Sequence, residues 1–150
     1  MTADVALSRG LKGIYIDKTE SSFIDGDAGK LLYRGYSIHD LAENSTFEET
    51  AFLLLNGKLP NHKELDEFDS LLRSSRSIPE EVVQVIKLTQ NAHPMDVLRT
   101  AISALSAYDP DVSDNSLEAT LRKGIRLTAQ APTIVTTHAR IRESRDPVVP

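Results

Sequence analysis

Leu127 to Ala139, LTAQAPTIVTTHA, is a helix-like stretch without a single Lys, Arg, Asp or Glu, closed on either side by Arg126 and Arg140. A helix with no charged side chain has no face that favours water, so it is expected to be buried. The apolar residues of this stretch and its flanks fall on two stripes, one through Leu117, Leu121, Ile125, Pro132, Val135 and Ala139, the other through Leu127, Ala131, Ile134 and Ile141. Two stripes call for packing on two sides, and the expectation is that so short a chain draws part of that cover from more protein. The four Thr, one Gln and one His in the stretch, together with its length, argue against a membrane span. The closing residues, DPVVP, read as linker, so the chain is expected to be the front part of a larger, helical, self-associating protein.

Composition sets wider bounds. The 150 residues are 40% hydrophobic and 26% charged, which places the chain among globular proteins, with enough length to bury a core. A formal net charge of −5 argues against nucleic acid and against an anionic membrane surface. The absence of Cys removes disulfides, thiol nucleophiles and thiolate metal sites together. The opening MTADVALSRGLKG has no apolar signal core, and a cytoplasmic location is expected by default.

Working back from the charge-free stretch, residues 1–36 read as a small antiparallel β ribbon and residues 37–150 as helices. Ile14 and Ile16, Phe23 and Ile24, and Leu31 to Tyr33 are short β-prone runs, and Asp25-Gly26-Asp27-Ala28-Gly29 between the last two is hairpin-loop chemistry. The ribbon is expected to end at Arg34-Gly35-Tyr36, where Gly permits a sharp turn. Four helix starts are expected where a capping side chain stands three residues ahead of an acid: Ser37 with Asp40, Ser45 with Glu48, Asn61 with Glu64, Ser77 with Glu80. Gly57 is a natural helix stop, and His93-Pro94 opens a helix at whose first turn a proline loses no hydrogen bond. That helix carries Met95, Leu98, Ile102 and Leu105 on one side. Pro132 should kink the long helix that ends near Ser144.

The sequence offers little chemistry. Asp25-Gly26-Asp27 and Asp109-Pro110-Asp111 invite a calcium reading, but the loop position that needs Gly holds Lys30 in one and Asp114 in the other, so both read as turns. Gly26 to Lys30 is too short for a phosphate loop. His39, His62, His93 and His138 have no partner at metal-ligand spacing. His138, on the charge-free helix, reads as a buried, hydrogen-bonded structural residue, and His93 as an N-terminal helix residue whose ring satisfies a local backbone group. No Ser sits in a nucleophile elbow. Arg122, Lys123, Arg126, Arg140, Arg142 and Arg145 read as solvated helix residues. No catalytic, cofactor-binding or metal-binding residue is assigned, and no bound cofactor is expected.

Three runs do carry a resemblance. From Gly10 to Pro60 the chain, and within it Ile24–Ile38 (IDGDAGKLLYRGYSI) and Glu48–Pro60 (EETAFLLLNGKLP), resembles the N-terminal portion of citrate synthases and 2-methylcitrate synthases. His93–Leu105, HPMDVLRTAISAL, resembles the helix that follows in that family, in the same order and spacing.

The resemblance implies a mostly α fold, the N-terminal part of a helical large domain with a small antiparallel ribbon at its start. It implies an acyltransferase that condenses acetyl-CoA or propionyl-CoA with oxaloacetate to citrate or 2-methylcitrate, in the tricarboxylic acid or methylcitrate cycle. In that chemistry a carboxylate takes the methyl proton, histidines polarise the two carbonyls and arginines clamp the oxaloacetate carboxylates. All those residues follow the point where this chain stops, so the isolated chain is expected to be inactive, with oxaloacetate and the acetyl-CoA cosubstrate bound only by a full-length enzyme. The resemblance also implies a homodimer through helices 94–107 and 116–144, with Leu98, Ile102, Leu105, Ile134 and Val135 as its uncovered apolar residues. The rival reading is a short non-catalytic paralogue, acting as a helical association module or accessory subunit.

Overall fold

The computed structural model describes residues 10, 13–15 and 17–150, which fall into two compact units, one through Thr46 and one from Phe47. The first unit holds three antiparallel strands in sequence order, β1 (Ser22–Asp25), β2 (Lys30–Tyr33) and β3 (Tyr36–Ser37), then the short helix α1 (Ile38–Asn44). Phe23 pairs with Leu32 and Ile24 with Leu31. The turn between them is held by Asp25, whose Oδ1 accepts from the amides of Asp27 and Ala28 at 3.1 and 3.0 Å. This is the local hydrogen bonding by which Asp competes with a straight strand.

The ribbon does not end at Arg34-Gly35-Tyr36. Arg34 and Gly35 both take positive φ, 48° and 89°, and make a two-residue hairpin turn that returns Tyr36 against Tyr33 as a third strand. Ile14, expected in a strand, lies in irregular chain, and Ile16 lies outside the described residues. Ser37 starts α1 as expected, its hydroxyl accepting from the His39 amide at 3.2 Å.

The second unit is entirely helical among its described residues: α2 (Phe47–Asn56), α3 (His62–Ser74), α4 (Glu80–Leu88), α5 (Pro94–Leu105), a 3-10 turn (Ser106–Tyr108) and α6 (Leu117–Arg142). Two of the expected starts need correction. Ser45 is the C-cap of α1, and α2 begins at Phe47 behind Thr46. At α4 the N-cap position is Pro79, which has no side chain to offer, so Ser77 is not a cap. Asn61 does form a full capping box, accepting from the Glu64 amide while the Glu64 carboxylate accepts from the Asn61 amide, each at 3.0 Å. His93 caps α5 through Nδ1, which accepts from the Met95 amide at 3.2 Å, and Pro94 occupies the first turn. Gly57 ends α2 with φ 81°, a left-handed C-terminal stop.

Helix α6 is the spine, at 26 residues about 39 Å long. Its N-terminal half gives Ile125 and Ala129 to a cluster with Phe52, Phe68 and Leu72 of α2 and α3, where the two phenyl rings meet edge to face at 5.4 Å. Its C-terminal half gives Ile134 to a cluster with Val82 and Ile86 of α4 and Val97, Ala101 and Leu105 of α5. At roughly 100° per residue, Ile125 and Ile134 point to opposite sides of the helix. The two-sided burial expected of this helix is thus real, but α2 to α5 of the same chain supply it.

The stripes are redrawn accordingly. On α6 the buried residues include Ala119, Thr133, Thr137 and His138, whereas Leu117 is 81% exposed and Val135 51%. On α5 the buried line is Val97, Ala101 and Leu105, and Met95 is exposed. Four residues expected to be uncovered are not: Leu105 and Ile134 are core, Leu98 and Ile102 pack against it, and only Val135 lies open. Ala101, fully buried on α5, lies in the same cluster as Ile134.

Candidate functional site

Beyond the 3-10 turn, the segment 109–115 runs as a strap beside the first half of α6. Asp109 accepts a hydrogen bond from the Asp111 amide at 2.8 Å, a turn that aims both carboxylates at the helix. There Arg122 and Arg126, one helical turn apart, share a face. Arg122 grips Asp111 with Nη2 at 2.6 Å and Nε at 3.1 Å, and Arg126 Nη2 spans Asp109 at 2.6 Å and Asp111 at 2.8 Å. Lys123 adds a bond from Nζ to the Asp114 carbonyl oxygen at 2.6 Å. Arg122 first, and Arg126 after it, hold the Asp111 carboxyl well below the usual carboxylate range. The Ser116 backbone lowers Asp114 in the same sense.

These three basic residues are therefore not simply solvated. The two arginines at i and i+4 facing two acids at i and i+2 were the signal, separated in sequence by the polar turn that lets them meet.

The strap walls a groove of 480 Å³. Ile78, Pro79, Ile102 and Leu105 make its apolar side, Tyr108, Pro110 and Val112 come from the turn and strap, and Arg126, Leu127 and Gln130 from α6. Gln130 also ties α6 to the loop before α4, donating to the Ser77 carbonyl at 3.0 Å.

The histidines lie on separate elements. His39, His62 and His93 are exposed, and His138 is buried with Nε2 3.1 Å from the Gln90 carbonyl oxygen; a carbonyl only accepts, so Nε2 donates. Among the described residues no three His, Asp or Glu side chains gather as a metal would require. No described helix is long and apolar enough to cross a membrane. A different surface stands out on α6, where Leu127, Pro132, Val135 and Ala139 are exposed along the stretch that carries no charge.

Comparison with known proteins identifies the family. The family described as citrate synthase, C-terminal domain, matches residues 10–150. The chain belongs to the citrate synthase family. It is 42% identical over 151 residues to the citrate synthase of Haloferax volcanii, covering 96% of this chain and 39% of that protein. It is 41% identical over 145 residues to the 2-methylcitrate synthase of Mycobacterium tuberculosis strain H37Rv, covering 96% of this chain and 36% of the relative. The crystal structure of citrate synthase from Pyrobaculum aerophilum superposes with a TM-score of 0.87 at 36% identity, over 94% of this chain and 38% of that one. The chain thus spans less than two fifths to about two fifths of the length of the proteins it matches.

Proposed function

We propose that this chain is the N-terminal part of a citrate synthase-type acyltransferase, one that condenses an acyl-CoA, acetyl or propionyl, with oxaloacetate. Residues 1–150 serve as scaffold in that enzyme and do not carry the reaction by themselves. The observation behind this reading is the near-complete cover of the chain by a family whose members are more than twice as long, together with four histidines that lie on separate elements, one of them, His138, buried against a backbone carbonyl. A proton abstraction coupled to carbonyl polarisation needs a carboxylate base and histidines converging on one reacting centre.

The scaffold role includes pairing with a second copy through α5 and α6. What supports this is the uncharged, half-open face of α6, since a helix that keeps no charge on an exposed side suits a desolvated interface.

Release of free CoA tests the reading, with acetyl-CoA or propionyl-CoA and oxaloacetate as substrates. The purified 150-residue chain should show none above the uncatalysed rate. Clear turnover from that chain would overturn the scaffold assignment, and a chain that stays monomeric at high concentration would count against pairing and favour an accessory role.

A further inference from the structure

We infer that the strap, residues 109–115, is an ionic latch that opens independently of the helical core and so controls access to the groove beneath it. Its attachments are mostly of one kind. Among the described residues, the Asp114 carboxylate accepts from the Ser116 amide at the start of α6, at 2.8 Å, and the other side-chain bonds from the strap to the rest of the unit are contacts to Arg122, Lys123 or Arg126. Its own apolar residues add little anchorage: Val112 is half exposed and Pro110 is exposed.

The helical core is held differently, by fully buried Val82, Ile86, Ala101 and Ile134. Segments with few buried apolar contacts open locally at a free-energy cost well below that of global unfolding. Breaking the ion pairs therefore releases the strap while α4, α5 and α6 stay packed. Release also withdraws Pro110 and Val112 from the wall of the groove and leaves Ile102, Leu105 and Leu127 more open to solvent or to an apolar molecule. The partial burial of the pairs, with Arg126 and Asp109 about four-fifths covered, keeps the latch closed at ordinary ionic strength.

Hydrogen exchange on the purified chain tests this at single amides. Inside the strap the Val112 and Asp114 amides donate to the carbonyls of Asp109 and Asp111, whereas Ala101 and Ile134 sit in core helices. Asp111→Asn removes the charge that both arginines grip and leaves the backbone donors in place. In the wild-type chain Val112 and Asp114 should be less protected than Ala101 and Ile134, and in the variant both strap amides should exchange roughly tenfold faster, as expected for loss of charge-assisted bonds. The wild-type chain in 1 M NaCl should shift in the same direction, and an apolar fluorescent dye should bind the variant more strongly. Strap amides as well protected as Ala101 and Ile134 in the wild-type chain would show that the strap is an ordinary part of the cooperative core. Unchanged exchange at Val112 and Asp114 in both the variant and high salt would show that the ion pairs do not hold it; either result overturns the latch.

Discussion

Arg126 and Asp109 stand 17 residues apart in sequence, yet the guanidinium Nη2 meets the carboxylate at 2.6 Å. The same nitrogen also reaches Asp111, so one side chain of α6 fixes the direction in which the chain leaves α5. The chain's acid response follows from this cluster. Asp111 and Asp114 have folded-state pKa values below the ordinary carboxylate value of about 3.9, and Glu64, bonded first by Lys58 and then by the Asn61 amide, lies below its own of about 4.3.

A depressed carboxylate contributes stability that is fully present above its unfolded value and is lost as pH falls through the folded one. Urea midpoints should therefore be insensitive to these groups between about pH 7 and pH 5 and should fall below about pH 4. Asp111→Asn should lower the midpoint at pH 7 and flatten the decline in acid. A variant with the same acid decline as wild type would show that Asp111 carries none of it.

Ile134 and Val135 are sequence neighbours with opposite roles. Ile134→Ala should cost about 2–5 kcal/mol in urea unfolding, since it empties a fully buried site between α4, α5 and α6. Val135→Lys, on the open face, should change the stability of the folded unit by no more than about 0.5 kcal/mol. In solution, Val135→Lys should weaken association between copies, because pairing would bury an unpaired ammonium. Light scattering that finds the Val135→Lys chain as associated as wild type would place the interface elsewhere.

The capping assignments differ in consequence as well. Asn61→Ala should destabilise by about 1 kcal/mol, since it opens a reciprocal box whose Glu64 is also held by Lys58 at 2.6 Å. Ser77→Ala should fall within about 0.5 kcal/mol of wild type, because the bond made there is accepted by the backbone carbonyl from Gln130 and survives the change. Comparable losses from the two substitutions would contradict the starts assigned to α3 and α4.

The features legible in sequence were those set by local chemistry. The Asp25 turn, the Asn61 box and the His93 cap depend on side chains within a few residues of the backbone groups they satisfy, and the Gly57 stop depends on the left-handed backbone that glycine adopts without strain. The helical character and the burial of Ile134 and His138 followed from a stretch without charge. Partners distant in sequence were not legible. Periodicity marks an apolar face without saying which element covers it, so Ile134 was expected at an interface between copies when α4 and α5 already enclose it. Ser77 and Ser45 failed for a smaller reason, since a cap pattern recurs by chance and the backbone decides which copy is used. The Asp109–Arg126 cluster was missed because each half, read alone, is an unremarkable turn or a solvated helix face.

The most direct test replaces the matching region of the Mycobacterium tuberculosis 2-methylcitrate synthase with residues 10–150 of this chain and measures release of CoA from propionyl-CoA and oxaloacetate. If these residues form the scaffold of a citrate synthase-type acyltransferase, the chimera should fold, associate and turn over within roughly tenfold of its parent, a barrier change of about 1.4 kcal/mol. A chimera that folds and associates like the parent yet releases no CoA would contradict the account, because the scaffold would then be unable to carry the family's active site.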